Sequence, residues 1–344
     1  MRVLVTGTDG YIGAVLASDL SGRGYDVVGV DTGYYRDGCL YGTGDSATTI
    51  RKDIRLLTAE DVSGVDAVVH LAELSNDPVG QLRPEITDEI NHHGSVRLAR
   101  LARSAGVERF VYTSSCSVYG IATSGTVDEE SPLNPQTPYA HAKVLVERDV
   151  SSLTADDFSP VFLRNATAYG ASPRMRFDIV LNNLAGHAWT IREIRMDSDG
   201  TPWRPFVHVL DISRAVACVL EAPRAAVHNQ LFNVGDSGAN YRVREVADIV
   251  GSTFPGCNVT LGELGADNRS YRVSFAKIAD ALPDFRCEWT LEDGARELRD
   301  LFEKIDLSRE TFEFRGFTRL KQLQYLLETR QLDDRFFWRN GAVH

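Results

Sequence analysis

The sequence predicts an α/β protein: a doubly wound parallel sheet followed by a smaller α/β lobe. Three observations carry this reading. Through residue 170, short β-branched runs alternate with longer amphipathic stretches, as strands do when crossover helices return the chain to one parallel sheet. The first of those strands runs directly into a glycine-rich turn, GTDGYIG at residues 7–13, that opens a helix. The chain has 344 residues and is 43% apolar, enough to fill a full core and more than one lobe.

Taken in order, residues 2–6 (RVLVT) read as a buried strand, residues 12–23 as a helix and residues 27–31 (VVGVD) as the second strand. Residues 67–72 (AVVHLA) and 109–114 (RFVYTS) are two further strands. Residues 85–105 between them keep helical spacing, and Gly106 sits where a C-cap needs a left-handed residue. Residues 139–150 form a helix after Pro135 and Pro138, and residues 161–164 a strand. Beyond residue 171 the alternation loosens. Residues 177–191 and 211–220 are helical, 206–209 extended, 231–234 a short strand ending at Gly235, and 243–254 and 291–302 helices. Residues 312–338 are dense in aromatics and arginines, which fits a packed tail, an oligomer contact or part of the second lobe.

Composition excludes several classes. With 37 Lys+Arg against 48 Asp+Glu the net charge is −11, so the bulk surface repels nucleic acid and anionic membranes. No run reaches the roughly 18 apolar residues of a membrane span. The N-terminal apolar stretch meets Gly7 and Asp9 too early for a signal peptide. The five cysteines are scattered, with no C-x-x-C pair, so neither structural zinc nor a disulfide framework is expected, and the expected compartment is the reducing cytoplasm.

The chemistry begins at the glycine turn. One glycine permits a tight turn, one lets backbone N–H groups approach a pyrophosphate, and one lets helix and strand pack closely. The helix start then supplies N–H donors and the positive end of its dipole, so an acidic chain can hold an anion without a basic surface. Gly7, Gly10 and Gly13 are spaced G-x-x-G-x-x-G. Asp31 ends the second strand, where a carboxylate accepts the adenosine ribose hydroxyls and repels a 2′-phosphate. No lysine or arginine follows until Arg36, which favours NAD over NADP. Further on, Tyr139 and Lys143 stand four residues apart on one helix face. A phenol ionises near pH 10, and a neighbouring cation is expected to bring it toward working range as a base for a sugar hydroxyl. Ser115, just after the strand at 109–114, can hydrogen-bond the same oxygen.

These segments resemble the extended short-chain dehydrogenase/reductase family. The resemblance rests on TGTDGYIG at residues 6–13, His70-Leu71-Ala72, Asn91, VYTSSCSVYG at residues 111–120 and Tyr139-x-x-x-Lys143, in that order, and spans residues 1–277. Within the family the chain is similar to NAD-dependent nucleotide-sugar epimerases and dehydratases of the UDP-glucose 4-epimerase type. The resemblance implies a Rossmann-type NAD-binding domain over residues 1–170, to which 206–240 return. It implies a substrate lobe from 171–205 and 241–310, leaving 311–344 as a tail of unknown role. Ser115, Tyr139 and Lys143 match the catalytic triad. Gly7, Gly10, Tyr11, Ile12, Gly13 and Asp31 match the NAD loop, Asp53 and Ile54 the adenine contact, and Leu71, Ala72 and Asn91 the nicotinamide side. Asn183, Leu184 and Arg204 match substrate contacts, with Arg269 or Arg272 as a second diphosphate arginine. A homodimer through the helices at 85–105 and 139–150 is also implied.

The implied activity is 4-epimerisation through a transient 4-keto sugar with NAD retained. The alternatives are a 4-ketoreductase or other net oxidoreductase, then a 4,6-dehydratase, then a non-catalytic NAD-binding sensor. Two departures bear on the choice. The family's dehydratases carry Asp-Glu directly after the serine or threonine of this motif, and Cys116 and Ser117 stand here, poor substitutes for a carboxylate acid and base. Thr167 stands where the family often has a substrate-touching asparagine. Glu73 follows His70-Leu71-Ala72 and brings a carboxylate near the site, either to bind a sugar hydroxyl or as a loop residue.

Overall fold

Seven parallel strands form the central sheet, and the computed structural model describes residues 1–42, 48–196, 198–262 and 269–339, without the side chains of residues 123 and 124. From one edge to the other the strands are Gln230–Val234, Ser159–Asn165, Arg109–Ser115, Ala67–His70, Arg2–Thr6, Asp26–Asp31 and Thr49–Arg51. The chain winds outward from Arg2–Thr6 in one direction, then crosses back through Ala67–His70 and winds the other way. Thr6 therefore pairs with Val30 on one side and His70 on the other. The crevice at the carboxyl ends of the strands, where the winding reverses, is the physical place for a ligand in such a sheet.

The period of two along each strand sorts the core into two layers. Val3, Val5, Val69, Val111 and Val161 face one side, packed with helices Tyr11–Gly22 and Val209–Glu221. Leu4, Val68, Phe110, Tyr112 and Phe162 face the other, packed with Ser95–Ser104 and Pro138–Ser151. A third cluster, including Leu181, Leu184, Phe206, Val246, Leu298 and Phe302, forms the core of the second lobe. No described helix is long and apolar enough to cross a membrane.

One sequence expectation is refined and two are corrected. The helix expected over 85–105 forms as contiguous segments, Pro84–Thr87, a wide π turn over Asp88–Gly94 and Ser95–Ser104, with helical backbone at each junction. Within that turn the buried Asn91 clamps the backbone of Leu74 from both sides, donating to its carbonyl at 3.1 Å and accepting from its N–H at 2.8 Å. The helix expected from 177 starts at Val180, because the Phe177 N–H donates to the Phe317 carbonyl of the C-terminal segment. The extended run at 206–209 belongs to Trp203–His208, which pairs with Thr167–Tyr169 and Asn240–Arg242 in a separate three-stranded sheet. Of residues 206–240, Gln230–Val234 is the strand that joins the main sheet.

The C-terminal segment folds back across the first domain. Leu323, Leu326, Leu332 and Phe336 enter the same core layer as Leu4 and Phe110. The Trp338 indole N–H donates to the Thr32 carbonyl at 2.7 Å, and the Gln322 amide to the Tyr34 carbonyl at 3.0 Å.

Candidate active site

A cavity of about 600 Å³ opens at the carboxyl edge of the sheet. Gly7, Asp31, Leu71, Ser115 and Asn165 line it, each at or just past the end of a different strand. At one end the glycine turn forms its floor. Gly7 has φ +83°, and an added Cβ would stand 3.0 Å from the Ala72 nitrogen. At Gly13 a Cβ would stand 1.9 Å from the Gly7 carbonyl oxygen, so this contact between helix and turn admits only glycine. The helix Tyr11–Gly22 starts from Gly10 with no side-chain cap, leaving its first amides for a ligand at the cavity.

Asp31 is buried, and each of its oxygens accepts one backbone N–H, from Gly33 at 2.7 Å and Asp9 at 2.9 Å. A carboxylate offers about four lone-pair sites, so two remain for hydroxyl donors. Burial, then the charge of Asp9, pushes the Asp31 carboxyl up to about 6. Arg51, paired with Asp31 across the strands, is engaged by Asp9. Uncapped amides, a glycine floor and a carboxylate with spare acceptor capacity together fit a dinucleotide with an unmodified 2′-hydroxyl.

At the far end lie Ser115, Tyr139, Lys143 and Glu73, all on the cavity wall. Thr137 caps the helix Pro138–Ser151 through the Ala140 N–H, which sets Tyr139 in the first turn and Lys143 one turn on. Glu147 and Arg164, paired at 2.7 Å in the interior, tie this helix to strand Ser159–Asn165, and Ser114 adds a 2.5 Å bond to Glu147. Ser115 lies beside the Tyr139 side chain and favours its ionised form, while its own Oγ accepts the Ser117 N–H at 3.1 Å. Lys143 donates to the Thr113 carbonyl and pairs with Glu73 at 2.6 Å, while the Tyr112 hydroxyl donates to Glu73 at 2.5 Å.

Here the sequence expectation is corrected. Burial, and secondly the Glu73 charge, hold the Tyr139 phenol well above its ordinary range, with Arg176 and Ser115 opposing. The lysine charge that was expected to lower it is shared with a buried carboxylate. Beneath the site, burial and then the Lys143 charge push His70 down to about 3, so it is neutral. Ser95 donates to the Asn91 carbonyl and accepts from His70 Nε2, which leaves Nδ1 to accept from Thr6 at 2.6 Å.

Of the other sequence-predicted residues, Tyr11, Ile12, Asp53, Ile54, Ala72, Thr167, Arg204 and Arg269 line the same cavity. Asp53 grips Arg55 with both oxygens, at 2.9 and 2.7 Å, while Arg269 pairs with Asp77. Four residues lie off its wall. Asn91 holds Leu74 as described above. Asn183 donates to the Phe177 carbonyl, and Leu184 is buried in the second-lobe core. Arg272 is exposed and lies over the Trp203 ring, because strand alternation on Ser270–Val273 sends Tyr271 and Arg272 to opposite faces.

The family model for NAD-dependent epimerases and dehydratases matches residues 3–235, more than half of the chain. The chain belongs to the NAD-dependent epimerase/dehydratase family. Its cofactor is NAD, and it is an enzyme of the nucleotide-sugar epimerase type. The UDP-glucose 4-epimerase of Corynebacterium glutamicum is 28% identical over 264 residues, covering 72% of this chain and 79% of that one. Among solved structures, TunA, an NAD-dependent NDP-hexosamine 5,6-dehydratase of tunicamycin biosynthesis, superposes with a TM-score of 0.79 at 26% identity, over 89% of this chain and 99% of that one. MoeE5 in complex with UDP-glucuronic acid and NAD gives 0.77 at 28% identity, over 88% and 99%.

Several cavity residues of this family member escape the sequence motifs. Arg176 pairs with Asp178 at 2.8 Å, and Asn76 bonds the same carboxylate at 3.0 Å. Asn76 itself takes φ 100°, an unusual backbone for asparagine held by its role as cap of Asp77–Leu82. Thr318, Arg319 and Leu320 come from the C-terminal segment, beyond the matched region. Only the density of arginines and aromatics there gave a signal in the sequence.

Proposed function

We propose that the protein is a nucleotide-sugar 4-epimerase in which Tyr139 moves the sugar hydroxyl proton. The observation that carries this reading is the state of the neighbouring carboxylates. Glu73 is bound to Lys143, Asp77 to Arg269 and Asp178 to Arg176, so each is committed to a cation. Cys116 is fully buried on the Arg164 carbonyl with its thiol held high by burial, and Ser117 is a hydroxyl. Elimination of water requires a free acid and base beside the sugar. Tyr139 with Ser115 supplies a proton carrier for one hydroxyl and no second pair.

In this reading Tyr139 works in its ionised form, which the surrounding charges make scarce at neutral pH: the phenolate oxygen takes the proton of the 4-hydroxyl and returns it after the sugar has turned its other face. Ser115 holds that hydroxyl by a shared hydrogen bond. Lys143, fixed by Glu73 and the Thr113 carbonyl, keeps a positive charge beside the phenol. Gly7, Gly10, the first amides of helix Tyr11–Gly22 and Asp31 hold NAD, which when bound accepts a hydride and gives it back, so that the net reaction is redox-neutral. Arg204 and Arg269 hold the nucleotide diphosphate while the sugar turns. A second reading, elimination as in TunA, is favoured by that structural similarity and by the presence of Glu73. The homodimer through the helices at 85–105 and 139–150, and a cytoplasmic location, belong to the same proposal; light scattering tests the first.

The test is a turnover screen across UDP-, dTDP-, GDP- and CDP-sugars, followed by NMR in deuterated water. Inversion at C4 with no deuterium on carbon, and NAD released in stoichiometric amount on denaturation, is the expected result. Deuterium at C5 assigns elimination, and net consumption of reduced cofactor assigns a ketoreductase. Tyr139→Phe is expected to keep its NAD and lose about 10²- to 10⁴-fold in turnover. Full turnover in that variant overturns the mechanism.

A further inference from the structure

Arg319, in the C-terminal segment, is 2% exposed and lies on the cavity wall. Its guanidinium stacks over Tyr35, 4.1 Å from the ring centroid. Nη2 reaches the Arg174 carbonyl at 3.4 Å, a weak bond, and Nη1 is buried without a hydrogen-bond partner. Among the described residues no carboxylate forms an ion pair with it. The Asp178 carboxylate is taken by Arg176, by Asn76 and by the backbone N–H of Arg319 itself. Asp31 spends one lone pair of each oxygen on the amides of Asp9 and Gly33. Burial, and then the charge of Arg176, bring the Arg319 guanidinium down to about 10, with Tyr35, Asp178 and Asp31 opposing. A buried cation with no carboxylate in direct contact is unfavourable, since the charges of Asp178 and Asp31 reach it only through space, and an anion against its Nη1 would complete it. Thr318, Arg319 and Leu320 also open the helix Arg319–Glu328, so the positive end of its dipole lies at the same wall.

We propose that Arg319 is an anion-binding residue of this site, whose free Nη1 donates to a phosphate oxygen of a diphosphate ligand. Two ligands carry that group: NAD and, on the reading above, a nucleotide sugar. The C-terminal segment is then part of the binding site, although it lies outside the region that defines the family. The cofactor arm of the inference rests on NAD binding alone. Only the nucleotide arm rests on the proposed substrate class.

The test measures binding to the full chain freed of NAD, by calorimetry, so it does not depend on turnover. Arg319→Met keeps an unbranched stem against Tyr35 and removes the charge, while Arg319→Lys keeps the charge without the planar fork. The probes are NAD, UDP and dTDP, with adenosine, uridine and thymidine as phosphate-free controls. A charge-assisted hydrogen bond lost from a buried site predicts weakening of about 10- to 100-fold for the phosphate-bearing ligand, unchanged nucleoside binding and partial recovery in Arg319→Lys. Loss confined to NAD assigns the contact to the cofactor pyrophosphate, and loss confined to UDP or dTDP assigns it to the substrate diphosphate. Unchanged affinity for all three, or equal weakening of nucleosides and nucleotides as a disrupted tail would cause, overturns the proposal. Should Arg319→Met fail to fold, the same comparison is made on Arg319→Lys.

Discussion

On the proposed reading Asp31 ties cofactor affinity to the electrostatics of the cavity, and the tie can be measured by replacing Asp31 with asparagine. In the folded chain the carboxyl is buried and rises from an ordinary value near 3.8 to about 6. A shift of about two units is worth roughly 3 kcal/mol at 1.36 kcal/mol per unit, an order-of-magnitude figure. Because the folded value is raised, the stabilisation from holding the proton is complete below pH 3.8 and is lost as pH rises through about 6. Above that the ionised carboxylate is a burden on the free protein, and ribose hydroxyls donating to it relieve the burden. NAD binding therefore requires the proton to leave. Wild-type affinity should fall about tenfold for each pH unit below 6 and be flat above it. Asp31→Asn has no such proton. Its amide nitrogen also cannot accept, so one of the amide donors Asp9 N–H and Gly33 N–H loses its partner, costing about 1–3 kcal/mol. At pH 8 the variant should bind NAD about 10- to 100-fold more weakly, with a smaller preference over NADP. Calorimetric titrations with NAD from pH 5 to 8 make the comparison. A wild-type affinity that stays flat across that range, or a variant that follows the wild-type slope, refutes the reasoning.

Other consequences are open to the same kind of check. Glu73→Gln removes the negative charge that helps hold the Tyr139 proton, so the acid limb of the pH–activity profile should move to lower pH; an unmoved limb refutes the role assigned to Glu73. Glu73→Ala leaves Lys143 in the interior with the Thr113 carbonyl and the Tyr112 and Tyr139 rings but no counter-charge. It should lower stability by about 3–5 kcal/mol, read as a reduced denaturant midpoint. Gly13→Ala would force a Cβ to within 1.9 Å of the Gly7 oxygen and spread the turn. NAD should then wash out on gel filtration, and retention of a full complement would contradict the cradle described here.

How much was legible in the sequence differs from element to element. The strands at 2–6, 27–31, 67–72 and 109–114 and the helix after Gly10 could be read directly, because buried parallel strands are continuous β-branched runs and the glycine turn has a local steric cause. Asp31 and Ser115 could be placed from the strand ends they occupy, Tyr139 and Lys143 from their i, i+4 spacing on one helix, and all four line one cavity. Arg269 against Arg272 was undecidable before the strand Ser270–Val273 gave them a register. The helix at 85–105 was legible from its apolar spacing, but its π turn was not, because that turn answers to Asn91 and its distant partner Leu74.

The sequence by itself determined the doubly wound sheet, the glycine turn and the placing of Ser115, Tyr139 and Lys143 on their strand and helix, since backbone sterics and hydrophobic period act over neighbouring positions. Only the tertiary structure decided the electrical state of the site. Glu73 meets Lys143 across 70 residues of chain, the tail brings Arg319 to the cavity from the far end, and Arg176 stands near both Tyr139 and Arg319. Charges act through space and burial, and neither is encoded in spacing along the chain.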